Sequence, residues 1–436
     1  MGRLQAWGRR NWVLLCALCM FVGSDYKFRT RDVTASISGS PDVFVLLELG
    51  LYAGLALYLL LRRAGPPRAV RLPLLLVLTF AYGLVVLASA PFSPFPLFGV
   101  VRSVELAIGM ALALAIALQA GRDELHRLGH GFLVLVTVSV VYGVLLPSQP
   151  ISNQQVGRFT WLSMHPNDSA VFVGVGSVLA FIYLTRRDPR PGPRWRPWVY
   201  GMILSVQVYG LVATHTRGAV LGAVAAVLVV QWNVLSGAVR RIEYALGIAT
   251  AAALASLVAL GTILEYVSRG ESVEQLSTLN SRTELWTFAL DAAAQKPLYG
   301  WGLGASQGIF LEEIGLGGGH NMIINVLVDL GLVGLGVWVA LIGTTIVKAA
   351  ALPRDAEGEP GLLVDRAVVV GVLTMILVDG FFIAGPGGVA NVSSTWLLLI
   401  VGWVARIGLL APRRRRRSIG AGPGRDRAPE LSGASG

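Results

Sequence analysis

Long uninterrupted apolar runs constrain this chain more than any other feature. Twelve recur, at roughly residues 11–23, 42–61, 72–90, 98–119, 129–146, 168–185, 198–213, 218–235, 243–264, 321–347, 365–385 and 394–411. Most are long enough to cross about 30 Å of hydrocarbon as a helix. The runs are continuous rather than alternating, so they read as membrane helices and not as barrel strands. A composition of 54% hydrophobic and 14% charged residues excludes an ordinary soluble domain. The expected fold is an all-α polytopic membrane protein with about 12 transmembrane helices and a long extracytoplasmic loop containing an amphipathic helix.

The formal charge of +11 comes from 36 basic against 25 acidic residues, and of the basic ones only Lys27, Lys296 and Lys348 are lysines. A basic balance can mark a nucleic-acid binder, but here the arginines are sorted by loop. With the N-terminus placed in the cytoplasm, alternation puts Arg62, Arg63, Arg68, Arg71, Arg122, Arg127, Arg186, Arg187, Arg190, Arg194, Arg196, Arg240, Arg241, Lys348, Arg354, Arg366 and the "RRRRR" at 413–417 on the inside. Fewer basic residues fall outside, as the positive-inside rule requires. Both termini are therefore expected in the cytoplasm, in a multi-pass membrane protein. Cys16 and Cys19 are spaced C-x-x-C but lie within the first apolar run, so they read as small apolar residues. The start, "MGRLQAWGRRNWVLLCALCMFVGSD", has the charge and apolar core of a signal peptide without an A-x-A site, and reads as a retained first helix.

The expected organisation is helices one to nine over 1–264, a large outer loop over 265–320, helices ten to twelve over 321–411, and a disordered basic cytoplasmic tail over 412–436. Within the large loop, "RTELWTFALDAAAQ" at 282–295 has Leu285, Phe288, Ala289 and Ala292 at helical spacing. It reads as an amphipathic helix on the outer membrane surface.

The chemistry-bearing residues gather on the outside. Arg158 lies in "QQVGRFTWLSMHPNDSA", Arg217 in the tight turn "ATHTRGAVLG", and Arg282 at the start of the surface helix. Arg102 lies about a turn below the outer end of the fourth run, with Glu105 at i+3 as an alternative local ion-pair partner. Arginine at membrane depth is costly and marks function, and a guanidinium is the natural bidentate partner of phosphate. His320 stands in "GGGHN" at the mouth of the tenth run, where a helix start suits an anion and favours a neutral imidazole able to accept a proton. The alternative is that Asn321 caps the helix and His320 is an interfacial polar residue. His165 in "HPND" and His215 beside Arg217 read as turn residues. "GWGLG" at 300–304 follows no strand and is no dinucleotide fingerprint; it lets the backbone turn sharply near a ligand or another helix.

"SRTELWTFALDAAAQKPLYGWGLGASQGIF" followed by "GGGHNMIINVLVDLGLVGLG" resembles the signature region of the O-antigen ligase and O-antigen polymerase family. The resemblance rests on Ser281, Arg282, Trp286, Pro297, Gly300, Gly302, Gly304, His320, Asn321, Asp329 and Gly331, with Arg217 and Gly218 carrying a second motif and Arg158, Pro166 and Asn167 a third. Ser281 stands one residue nearer its arginine than is usual, and the usual glycine of the third motif is replaced near Trp161. The resemblance spans about 155–345.

It implies a membrane glycosyltransferase, independent of metal and cofactor, that takes a glycan from an undecaprenyl-pyrophosphate carrier and passes it to a sugar, a glycolipid or occasionally a protein. His320 would activate the acceptor hydroxyl. Arg217 and Arg282 would hold the pyrophosphate, with Arg158 or Arg102 helping, and Asn321, Gly302 and Gly304 would lie against the substrate. A transporter or flippase is the rival reading, with Glu48, Asp379 and Asp329 as its intramembrane charges, but no internal repeat supports it. A non-catalytic partner in cell-envelope assembly is the third.

Overall fold

Caps and prolines set where the helices begin. The computed structural model describes residues 2–30, 42–62, 73–148, 156–185, 193–234, 239–248, 282–315, 317–352 and 361–410, with positions 250, 261 and 266 besides. Among these there is no strand. The N-terminal helices are α1 (Gly2–Arg10), α2 (Trp12–Asp25), α3 (Val43–Leu61) and α4 (Leu74–Ser89). They are followed by α5 (Pro96–Gln119), α6 (Arg122–Leu145), α7 (Pro166–Thr185), α8 (Arg196–Ala213) and α9 (Arg217–Val234). Then come α10 (Arg282–Gln295), α11 (Ala305–Ile314), α12 (Met322–Ala350), α13 (Gly361–Gly380) and α14 (Val392–Leu410). Asp42 caps α3 by accepting from the N–H groups of Phe44 and Val45 at 2.9 and 3.0 Å. Pro96 opens α5, where its missing N–H costs nothing.

Seven of the described helices are long and apolar enough to cross a membrane: α3, α4 extended to Phe92, α5, α6, α7, α12 and α14. The protein is thus a multi-pass membrane protein. The ninth apolar run lies largely outside the described residues, as do the cytoplasmic tail and most of 265–281. The sixth helix starts at Arg122, a turn or two before the apolar run, so Arg122 and Arg127 stand on a helix rather than in a loop.

The helices sort into a centre and a rim. The apolar window of α7 is 78% buried, while that of α3 is only 11% buried and presents its side chains outward. The rings of Phe21, Phe132, Phe172 and Trp396 pack together from α2, α6, α7 and α14, with Phe132 and Trp396 centroids 4.9 Å apart. One end of the bundle collects the basic residues expected inside. Arg122 pairs with Asp365 at 2.6 Å, Arg62 donates to Gln119 at 2.7 Å, Arg366 donates to Asn233 at 2.7 Å, and Arg406 donates to the Ala120 carbonyl at 2.6 Å. The outward-expected residues occupy the other helix ends.

Two expectations for the large loop change. It holds a second helix, α11, that the apolar pattern does not predict. The apolar face of α10 also lies on protein rather than on lipid: Leu285 and Ala289 are fully buried and pack with Phe310 and Val328. Burial against α11 and α12 satisfies the same hydrophobic stripe that a membrane surface would.

α12 is broken at Gly331, which has φ 63° and ψ −167°. Such a break strands backbone groups where no water can reach them. The segment 297–302 supplies the partners. Leu332 and Val333 donate to the carbonyls of Pro297 and Leu298 at 2.8 and 3.1 Å, and Trp301 and Gly302 donate to those of Val328 and Asp329 at 2.9 and 2.8 Å. The two backbones approach so closely that a Cβ on Gly331 would lie 2.4 Å from the Leu298 carbonyl carbon.

Candidate active site

The end of the bundle expected outside is assembled from three helix starts and one helix end. Arg217 is the first residue of α9, held there by the preceding turn. That turn is fastened by Arg158, whose Nε donates to the Thr214 carbonyl at 2.9 Å and whose Nη2 donates to Asn167 Oδ1 at 2.6 Å and Thr216 Oγ1 at 2.9 Å. Thr214 and Thr216 are buried. Arg158 thus ties the 158–167 loop to the arginine turn, and the bland polar residues around Arg217 turn out to be its scaffold. His165 belongs to this scaffold: its Nδ1 accepts the Asn167 N–H at 3.1 Å. Burial, and then the Arg158 charge, push His165 down to about 4.

His215 sits in the turn at φ 50° and stacks on Tyr266 with centroids 5.3 Å apart. His320 has φ 46°. Among the described residues only Leu162, His215 and His320 are non-glycine residues at positive φ. All three lie in the segments expected outside, and strain of this kind persists only where the surroundings impose it.

Asn321 caps α12, its Oδ1 accepting from Ile323 and Ile324 at 2.9 and 3.3 Å. Its Nδ2 donates to the Phe381 carbonyl at 3.3 Å. Phe381 follows the end of α13, and the same end meets α9: a Cβ on Gly218 would lie 2.8 Å from Phe382 Cβ and 3.1 Å from Asp379 Oδ1. Residues 379–382 therefore stand between the start of α9, which carries Arg217, and the start of α12, which follows His320. Two helix N-termini, each with a partial positive charge, flank one segment.

The structure changes the reading of four other residues. Gly302 and Gly304 do not open the backbone to a substrate; they are buried against the protein itself. A Cβ on Gly302 would lie 2.4 Å from the Ser93 nitrogen, and one on Gly304 would lie 2.7 Å from Phe98 Cε1. Asp329 is buried and caps α11, accepting from Gly304 and Ser306 at 3.0 and 2.7 Å. Arg102 takes the ion-pair alternative: it pairs with Glu105 at 2.8 Å and Glu48 at 3.2 Å and lies over the Phe98 ring. Its charge is met by two carboxylates of the protein. Arg282 is the first residue of α10, whose Trp286 donates to the Gly319 carbonyl at 3.1 Å.

Asp379, Thr216, Trp286 and Asn325 join this end of the molecule without having been assigned a place in the site from sequence. Asp379 carried a signal as an acid in an apolar run, and Trp286 one as part of the signature resemblance; Thr216 and Asn325 are unremarkable until the helices are packed.

Residues 200–339 match the O-antigen ligase family model, a stretch that takes in the arginine turn, α10, α11, His320 and the break in α12. No curated protein matches the chain. The region that holds Arg217, Arg282 and His320 is thus similar to the O-antigen ligase family.

Proposed function

We propose that the protein is a glycosyltransferase of the bacterial plasma membrane that moves a glycan from an undecaprenyl-pyrophosphate carrier to a sugar or glycolipid acceptor on the outer face. The family supports a polysaccharide ligase or polymerase role. The observation that carries the finer reading is the pairing of two helix starts, Arg217 on α9 and His320 before α12, on either side of residues 379–382.

In this reading the acceptor hydroxyl oxygen forms a bond to the anomeric carbon of the donor sugar. The bond from that carbon to the pyrophosphate oxygen breaks, and its electron pair leaves on the pyrophosphate. His320 takes the hydroxyl proton. Arg217 and Arg282 neutralise the leaving pyrophosphate, aided by the N-terminal dipole of α9. Arg158 acts behind Arg217 as the fastening of its turn.

The test is transfer by the purified protein in lipid nanodiscs from a polyprenyl-pyrophosphate-linked glycan. His320→Ala is expected to lower transfer by about 100-fold or more while insertion and yield are unchanged. Wild-type transfer by that variant would overturn the base assignment. Deletion in the native cell distinguishes the two products: loss of long chains marks a polymerase, and intact chains left on the carrier mark a ligase.

A further inference from the structure

The Gly319 peptide is gripped from both sides. Its N–H donates to Asn325 Oδ1 at 2.7 Å, and its carbonyl accepts from the Trp286 indole at 3.1 Å. Asn325 is 3% exposed and stands one turn into α12, beyond the cap. There is no room for a side chain at 319, because a Cβ would lie 2.9 Å from Asn325 Oδ1, 2.9 Å from Ile324 Cγ2 and 3.1 Å from Phe310 Cε2. The neighbours on both sides are at positive φ, Gly318 at 95° and His320 at 46°. On the far side of the histidine, Asn321 is fixed by its cap and by Phe381. His320 is therefore a left-handed residue between two pinned peptides, a conformation that persists only where the surroundings impose it.

We infer that Trp286 and Asn325 are positioning residues for His320: they clamp the Gly319 peptide and so set the direction from which the imidazole meets the acceptor. The inference rests on the proposed role of His320 as the base. Trp286 has a second consequence. It stands one turn after Arg282 on α10, so its single hydrogen bond sets the register between the helix that begins with the arginine and the loop that carries the histidine. The part of the site that holds charge and the part that removes a proton are joined through that bond.

Two variants test the clamp without depending on one another. Trp286→Phe keeps a ring but loses the N–H. Asn325→Leu keeps volume but loses the acceptor, and Asn325→Asp restores an acceptor oxygen. Trp286→Phe and Asn325→Leu are each expected to lower kcat by roughly 10–100-fold with KM for the donor little changed, the effect of misplacing a catalytic group by a fraction of its reach. Asn325→Asp, which keeps the acceptor oxygen, is expected to recover part of the loss; a packing role would leave the volume-keeping Asn325→Leu near wild type.

The second readout is histidine-selective NMR of the full-length protein, which has five histidines. The imidazole signal that disappears in His320→Gln is expected to shift in Trp286→Phe and in Asn325→Leu. Wild-type kcat and an unmoved His320 signal in both folded variants would overturn the clamp. So would failure of both to fold, which would make the contacts elements of folding. If His320→Ala transfers normally while the His320 signal still moves, the base reading fails and the clamp stands; if His320→Ala is dead and both clamp variants turn over normally, the reverse holds.

Discussion

The backbone N–H of Leu332 donates to the carbonyl of Pro297 at 2.8 Å, across the point where α12 is broken. A membrane helix can break only if something else satisfies its stranded groups, and here a loop from the preceding segment does so with main-chain atoms alone. The loop that carries α10 and α11 is thereby fixed to the helix that follows His320.

Gly331→Ala is expected to undo that joint. The residue would need φ near 63°, and its Cβ would lie 2.4 Å from the Leu298 carbonyl carbon. The expected cost is about 2–5 kcal/mol, the range in which backbone strain and steric overlap are diagnostic. Thermal unfolding in detergent, followed beside glycan transfer, should show a clear loss in both; a variant as stable as the parent would mean that the loop does not depend on the break.

Arg217→Lys is expected to impair transfer even though charge is kept, because a point charge cannot form the two-pronged contact of a guanidinium. One lost charge-assisted hydrogen bond is worth about 1.5–3 kcal/mol, which corresponds to roughly 10–100-fold in kcat/KM. Full activity in the lysine variant would leave Arg217 with a turn role only.

Arg102 should behave as a structural ion. Removing it as Arg102→Met leaves Glu105, whose side chain is 1% exposed, without its partner. Breaking a buried pair from one side costs about 3–5 kcal/mol, whereas replacing both partners is often tolerated. The double variant Arg102→Met with Glu105→Gln is therefore expected to regain stability and transfer relative to the single variant. Donor KM rising selectively in the single variant, with no change in melting temperature, would return Arg102 to the substrate.

His165 gives the end of the bundle that carries Arg217 an acid sensitivity. Its folded-state value is about 4, below the ordinary histidine range. The unfolded chain therefore binds more protons than the folded one between about pH 4 and 6.5, and stability falls as pH falls through that window. The contribution is fully present above about pH 6.5 and amounts to at most about 3 kcal/mol. Melting temperatures measured at pH 5 and pH 7.5 should differ more for the parent than for His165→Gln; equal differences would remove His165 as the cause.

Much of this arrangement is written in local pattern. The apolar runs mark the helices, the spacing of Leu285, Ala289 and Ala292 marks α10, and Asn321 and Arg217 stand at helix starts because a cap and a tight turn put them there. What the pattern hides is equally specific. α11 is only "ASQGIFLEEI", between glycines and with two acids at its end, so it has no long apolar stripe. The break at Gly331 lies in a run that stays apolar on both sides, and main-chain hydrogen bonds leave no trace in side-chain chemistry. Arg158 reads as a phosphate ligand from its loop alone; its partners Thr214 and Thr216 lie 56 and 58 residues away and meet it only after folding.

The joint at Gly331 also bears on how this protein can be re-engineered. Because residues 297–302 and 328–333 recognise one another through main-chain atoms, neither segment encodes the other's identity in its side chains. A loop transplanted into this protein must therefore travel with its matching helix break, because a shift in either backbone leaves main-chain groups of the other without their partners.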